Sequence, residues 1–465
     1  MHAKEGIGLA IALGTALLLA LGAAGAKSVP LMEALPRSAV CTVTVGGENV
    51  PVIDTAVNLN RTWTSRPMLT STPVALFMLA APCEVVVRFP GAAIGKATVR
   101  PLSLGIQPTV HGDTVRFMLD RPAQLTVERD GEQAGALHLF AQPPEADVPQ
   151  GETVMRFEAG LHEVGTVVLA SGQTVYLAAG AVVRGQFVAD GAENIRLTGR
   201  GIIDGSTLDR WEQTTVPVDL AHCKNVTIEG ITVLDPAAWT LNLYHCEDVT
   251  VRGVNIIGAR SNSDGITIQS CKRVLVSGCF VRGWDDNLVV KGYDGDVADI
   301  TFTDCVLWTD LAQSMEIGYE TRAEVMERIT FENITVLHAN HKPVCSIHNS
   351  DNALVRDVTF RNITVEDCAL GQGDGAEFLL DLTTTKSQWS KSTERGNIRG
   401  VLFDNIRVLD GKLPAVRIFA INKEHTIDNV TIRGLVLLGQ SITSFDQLRY
   451  TFSPRKLGQH IVIQP

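Results

Sequence analysis

What this chain has little of narrows the field first. Stretches of helical period are few while glycine is abundant, 41 of 465 residues, so turns are many and helix is scarce. Basic charge is in deficit: 40 Lys and Arg stand against 51 Asp and Glu, a formal charge of −11. That balance argues against nucleic acid or an anionic membrane surface as partner. Metal-ligand spacing is missing as well. His338, His341 and His348 do not share one, and no loop of clustered Asp suggests calcium. Neither a metal nor another cofactor is expected.

Only one long hydrophobic run is present. Lys4 precedes an apolar stretch from Ile7 to about Ala24, and Ala24-Gly25-Ala26 closes it. A basic start, an apolar middle and a small-residue end mark a secretory signal peptide over residues 1–26, with a retained anchor as the alternative. No other segment could span a bilayer. The expectation is an exported monomer, secreted or periplasmic, with no membrane contact once the signal is removed.

Nine cysteines in an exported protein would ordinarily suggest disulfides. Their spacing argues otherwise. Cys223, Cys246 and Cys271 each stand three residues ahead of the first apolar position of a repeat, and Cys279 and Cys305 each stand five residues after it. One position in successive repeats implies a stacked column of small buried side chains. Only Cys41 and Cys83, upstream of the repeats, are candidates for a disulfide.

The repeat itself reads apolar, any, apolar, any, then Gly, Asn or Asp, then another alternating pair. Copies include VTIEGITV at 226, VTVRGVNI at 249, VLVSGCFV at 274, ITFTDCVL at 300, ITFENITV at 329, VTFRNITV at 358 and VTIRGLVL at 430. Alternation indicates strand, and the small residue indicates a bend. A second strand follows in each repeat, as in GITIQSC at 265 and NLVVKGY at 287. At least two strands per coil at this period predict a right-handed parallel β-helix over residues 150–465. A propeller would need longer periods and antiparallel hairpins. The spacing from 358 to 401 holds a Gly-, Ser- and Thr-rich insertion around 371–396, a blocking loop or an idle one. Residues 27–145 lack the repeat and show alternating strands such as CEVVVRF at 83, so a small β-sandwich domain is expected there, joined through the polar stretch 143–152.

Aligning second strands puts Ile266, Leu288, Met315 and Cys345 in one inward column. Asp264 and Asp286 then share a column two places earlier, with coils roughly 4.8 Å apart, and Asp285 lies just outside it. Capping of β-turns is the plain reading for a lone Asp. Three at aligned positions fit a general acid beside a general base, since crowding raises a carboxyl pKa. An inverting glycosidase needs that pair across a gap of roughly 6.5–9.5 Å.

SNSDG at 261–265 followed by WDDNLVVKG at 284–292 resembles the paired signatures of the polygalacturonase superfamily, glycoside hydrolase family 28. There the forms are Asn-Thr-Asp and Asp-Asp, with a Lys just after the strand. The resemblance spans about residues 150–440. It implies a hydrolase of polysaccharide or oligosaccharide, with Asp285 as general acid and Asp264 and Asp286 holding the attacking water. Asn262 of the first motif joins the substrate-binding set. Two motifs depart from the family. Gly-His-Gly is replaced by Ala312-Gln313-Ser314, and the Arg-Ile-Lys that grips a galacturonate carboxylate by Ser346-Ile347-His348. A uronate would lose its bidentate anchor. MEIGYE at 315–320 and the N-terminal sandwich look more like the related dextranase and isopullulanase family 49, which shares the three Asp and acts on neutral α-glucans.

Further candidates surround the acids, each with a plainer alternative. Glu316 is expected outward on the same face, as a sugar hydroxyl ligand or simply solvated. Lys291 binds substrate or pairs with the acids. Trp239 aligns with Asp264 in the preceding coil, for sugar stacking or core packing. Trp284 and Tyr319 stack on sugar or pack a coil bend. Gln313 and His348 occupy the altered motifs and complete the substrate-binding set. A lyase or epimerase, or a noncatalytic carbohydrate-binding solenoid, is the alternative function.

Overall fold

The computed structural model describes residues 25–29, 34–64, 69–91, 93–209, 215–452 and 460–465. The expected signal peptide lies outside the described residues over 1–24. No helix among the described residues is long and apolar enough to cross a membrane. The chain divides into two compact units, the first ending at Ala146.

The first unit is a pair of sheets. A five-stranded antiparallel sheet runs in the order Glu48–Val50, Thr42–Val45, Cys83–Arg88, Thr114–Leu119, Thr109–His111. The other, of six strands, runs Ala26–Ser28, Thr70–Leu79, Leu137–Gln142, Ala123–Arg129, Ala97–Arg100, with Val52–Val57 also paired to Thr70–Leu79. Period-two alternation in Cys83–Arg88 turns Val85 and Val87 inward, where they join Leu125, Val127 and Leu139 in one core. The disulfide considered for Cys41 and Cys83 is not formed: both are buried free thiols. Cys83 donates to the Ala81 carbonyl at 3.3 Å, and burial pushes the Cys41 thiol up to about 12.

The second unit holds Asp147–Pro465 and also Thr55–Thr72. That short upstream segment, expected within the sandwich, groups with the coils, to which its Asn60 and Thr64 carbonyls and the Arg61 side chain are bonded. Among the described residues thirty strands make one continuous sheet, nearly all parallel, wound as a right-handed parallel β-helix. Where the sequence indicated at least two strands per coil, the central coils have three. Lys272–Ser277, Phe280–Gly283 and Leu288–Gly292 lie on Glu247–Arg252, Asn255–Ile257 and Ile266–Gln269 of the coil before. In later coils the first two fuse into long strands, Val325–Ala339 and Leu354–Cys368.

The repeat signature is a corner. Its fifth position is Gly230, Gly253, Gly278, Asp304, Asn333, Asn362 and Asn405 in turn, with φ of 76, 60, 60, 57, 55, 53 and 56°. Left-handed backbone costs most L-residues roughly 1–2 kcal/mol but is cheap for Gly and tolerable for Asn and Asp. The asparagines also bond along the stack: Asn362 Nδ2 donates to Asn333 Oδ1 at 2.9 Å, and Asn405 Nδ2 to Asn362 Oδ1 at 2.8 Å. Inside, Phe302, Phe331, Phe360 and Phe403 stack with centroids 4.8, 5.0 and 5.2 Å apart. The cysteines form the expected column, with the Cys246 N–H donating to Cys271 Sγ at 3.2 Å. All nine are free and buried.

Candidate active site

The acids stand at the entrance of the second strand of two adjacent coils. Ile266 pairs with Leu288, Leu288 with Met315 and Met315 with Cys345, the inward column read from the sequence. The ladder starts among the acids themselves: the Gly265 N–H donates to the Asp286 carbonyl at 2.8 Å, and Ile266 N–H to the Asn287 carbonyl at 2.9 Å. Asp264 and Asp286 are therefore vertical neighbours. Gly265 is required by close approach, since a Cβ there would lie 2.6 Å from the Asn287 carbonyl oxygen.

Main-chain N–H groups aim the carboxylates. Asp285 Oδ2 accepts from Asn262 N–H at 2.8 Å, and its Oδ1 from Asp286 N–H at 3.0 Å. Asp286 Oδ1 accepts from Gln313 N–H at 2.8 Å. The loop carrying Asn262 is held by Arg260, whose Nε and Nη2 each donate to the Asp235 carboxylate at 2.8 Å. Planar two-point pairing of this kind fixes direction as well as distance.

Burial decides the electrostatics. It pushes Asp264 well above the usual carboxylate range, with the Asp285 charge adding to it and Lys291 pulling back. Burial likewise pushes Asp286 up to about 7, helped by the charges of Asp285 and Glu316 and opposed by the Gln313 N–H and Lys291. Lys291 lies 3.7 Å from Asp264 Oδ2, 3.2 Å from Glu320 Oε2 and 5.1 Å from the centre of the Trp239 ring. Burial works against its ammonium, but Asp264 and Glu320 outweigh it and hold its pKa above the usual lysine range.

A cleft of about 830 Å³ opens over this cluster. It brings together Asp264, Asp285, Asp286, Asn262, Lys291, Gln313, Tyr319 and Trp239, all singled out from the sequence. Glu316 and His348 do not line it. Both are buried, because Glu316 has partners on its own face: it accepts from the Ser346 hydroxyl, and its Oε1 lies 2.8 Å from His348 Nδ1. His348 Nε2 reaches Asp381 Oδ2 at 3.1 Å, and Asp381 is bound at 2.6 Å by both Nε and Nη2 of Arg417. Burial opposes the charge on His348, yet Glu316 and Asp381 hold its pKa up to about 10. The Tyr319 ring lies parallel to the imidazole, centroids 4.5 Å apart, and Gln313 Nε2 donates to its hydroxyl at 3.1 Å. Trp284, the other aromatic candidate, is fully buried.

The cleft also contains residues that sequence reasoning missed: Trp63, Glu320, Lys342, Gln388 and Trp389. Trp63 lies some two hundred positions upstream of the acids, outside the repeat, and no periodicity points to it. Trp389 and Gln388 belong to the insertion, whose composition was the available signal. Among the described residues no group of three or more His, Cys, Asp or Glu side chains is arranged to hold a metal ion.

Residues 146–448 match the family model described as glycosyl hydrolases family 28. Among solved structures, Dex49A from Penicillium minioluteum is similar over 94% of this chain and 96% of its own, at 13% identity and a TM-score of 0.60. A hyperthermoactive exopolygalacturonase from Thermotoga maritima is similar over 67% of this chain and 84% of its own, at 16% identity and a TM-score of 0.50. No curated protein matches. At these identities the two structures establish the fold.

Proposed function

Because the chain belongs to the glycosyl hydrolases of family 28, we propose that it cuts glycosidic bonds of a polysaccharide or oligosaccharide with inversion, using Asp285 as acid and Asp264 with Asp286 as base. Asp285 gives its proton to the glycosidic oxygen. The N–H groups of Asn262 and Asp286 strengthen their bonds to Asp285 as its negative charge develops, which favours the transition state over the ground state. Asp264, facing the Lys291 ammonium, and Asp286 draw a proton from water on the opposite face of the ring. Burial and neighbouring charge raise the Asp264 and Asp286 carboxyls, which makes each a stronger base toward the water proton.

The observation that carries this reading is the meeting of three carboxylates from adjacent coils in one cleft, each tied to a main-chain N–H or an ammonium. Export is part of the same proposal and rests on the pattern of residues 1–26.

Screening on a glycan panel tests it. Asp285→Asn should lower kcat by roughly 10²–10⁴-fold while leaving circular dichroism unchanged. Wild-type turnover by that variant would remove Asp285 from the chemistry. A product absorbing in the ultraviolet would indicate elimination, the work of a lyase.

A further inference from the structure

Resting on the hydrolase reading, we infer that the cleft takes an uncharged glycan and grips it by stacking on Trp63 and Trp389, two tryptophans supplied from outside the repeating coils. Trp284 and Trp308 are fully buried, whereas Trp63 and Trp389 expose 40% and 42% of their surface, and both of these face the cleft. Large indoles left open to water at the rim of a reaction centre call for an apolar ligand surface. The C–H face of a pyranose ring is such a surface, and its positive hydrogens suit the negative face of an indole.

Both side chains sit on braced segments. Trp63 stacks on Trp284 with centroids 5.2 Å apart and an interplanar angle of 26°. Ahead of it, Trp284 Nε1 donates to the Asn60 carbonyl at 2.9 Å, and Arg61 Nη1 donates to the Asp310 carbonyl at 2.8 Å. Behind it, the Ser261 hydroxyl donates to the Thr64 carbonyl at 2.6 Å. Ser261 and Trp284 adjoin the acid-bearing motifs, so the platform is tied to the loops it serves. Around Trp389, its own N–H donates to the Ser387 hydroxyl at 3.1 Å, the Ser390 hydroxyl donates to the Ser350 carbonyl at 2.6 Å, and the Lys391 N–H to Asp351 Oδ1 at 2.6 Å. Little ordering is left to be done on binding, which favours affinity.

Charge selects against the acidic alternative. Among the described residues the cleft is lined by four carboxyl groups, Asp264, Asp285, Asp286 and Glu320, and two ammoniums, Lys291 and Lys342, with no arginine. Lys291 is engaged by Asp264 and Glu320. The next cation along the sheet, His348, is turned beneath Tyr319 and bonded to Glu316 and Asp381. A uronate carboxylate would be desolvated beside this carboxyl cluster without a two-point partner, an arrangement that costs affinity.

Affinity electrophoresis of the Asp285→Asn chain separates the possibilities, because binding is read without digestion. Gels would contain dextran, pullulan, galactan, arabinan or polygalacturonate. We expect retardation by at least one neutral glycan and none by polygalacturonate. Trp63→Ala and Trp389→Ala should each weaken that retardation by roughly tenfold, with Phe at either position restoring most of it. Stronger retention in polygalacturonate, no retention in any neutral gel, or alanine variants that bind like their parent would overturn the inference. Failure of the hydrolase reading looks different: Asp285→Asn would still cut a glycan that it binds.

Discussion

At Asp286, burial and two neighbouring anions raise the carboxyl to about 7, and this makes stability depend on pH. A carboxyl whose folded pKa exceeds its unfolded value of about 3.9 binds its proton more tightly in the native state. Its stabilising contribution is full below pH ~4 and is lost as pH rises through about 7. Asp286→Asn keeps an oxygen for the Gln313 N–H and has no charge to bury. Thermal melts should therefore show the variant above wild type by several degrees at pH 8, with the gap closing toward pH ~4. A gap that widened toward acid would mean that the ionised form of Asp286 is stabilised by the fold. Sequence spacing found these acids because strand register carries them into one column. It could not show that Glu316 has its own buried partners. Outward orientation follows from period two, but solvent access depends on what else lies on that face, here Ser346 and His348.

At the level of the coil, the corner governs stability. Asn362 has φ 53° and both accepts from Asn405 and donates to Asn333. Asn362→Gly keeps the backbone conformation and loses the ladder bonds, whereas Asn362→Val loses both. Urea unfolding should place the Val variant below the Gly variant by about 1–2 kcal/mol. Equal losses would mean that the ladder, not the backbone conformation, dominates. The repeat was legible because this corner accepts so few residue types. A second corner, one residue ahead of each copy, includes Asn225, Asp248 and Asp299 with φ 55, 58 and 61°, but also Arg273 and Arg328 with φ 56 and 53°. That corner's mixed chemistry left it without a sequence signature, and the alternation indicated only that each coil has at least two strands.

Over the whole molecule, the fold and the reaction centre come from what repeats, and the walls of the cleft come from what does not. Trp63 reaches the site from a segment with no periodicity, held by bonds to residues more than 190 positions away, such as Ser261. Trp389 arrives on an insertion. Neither placement follows from local pattern, because it depends on pairings across the chain that no spacing records. The family match spans the coils and the insertion alike, over residues 146–448. The central claim concerns the acids, and one measurement reaches it most directly: proton NMR of the first product released by wild type, before mutarotation. Inversion through Asp285 predicts a fresh reducing end of anomeric configuration opposite to that of the bond cut. A product that retains the configuration would contradict it.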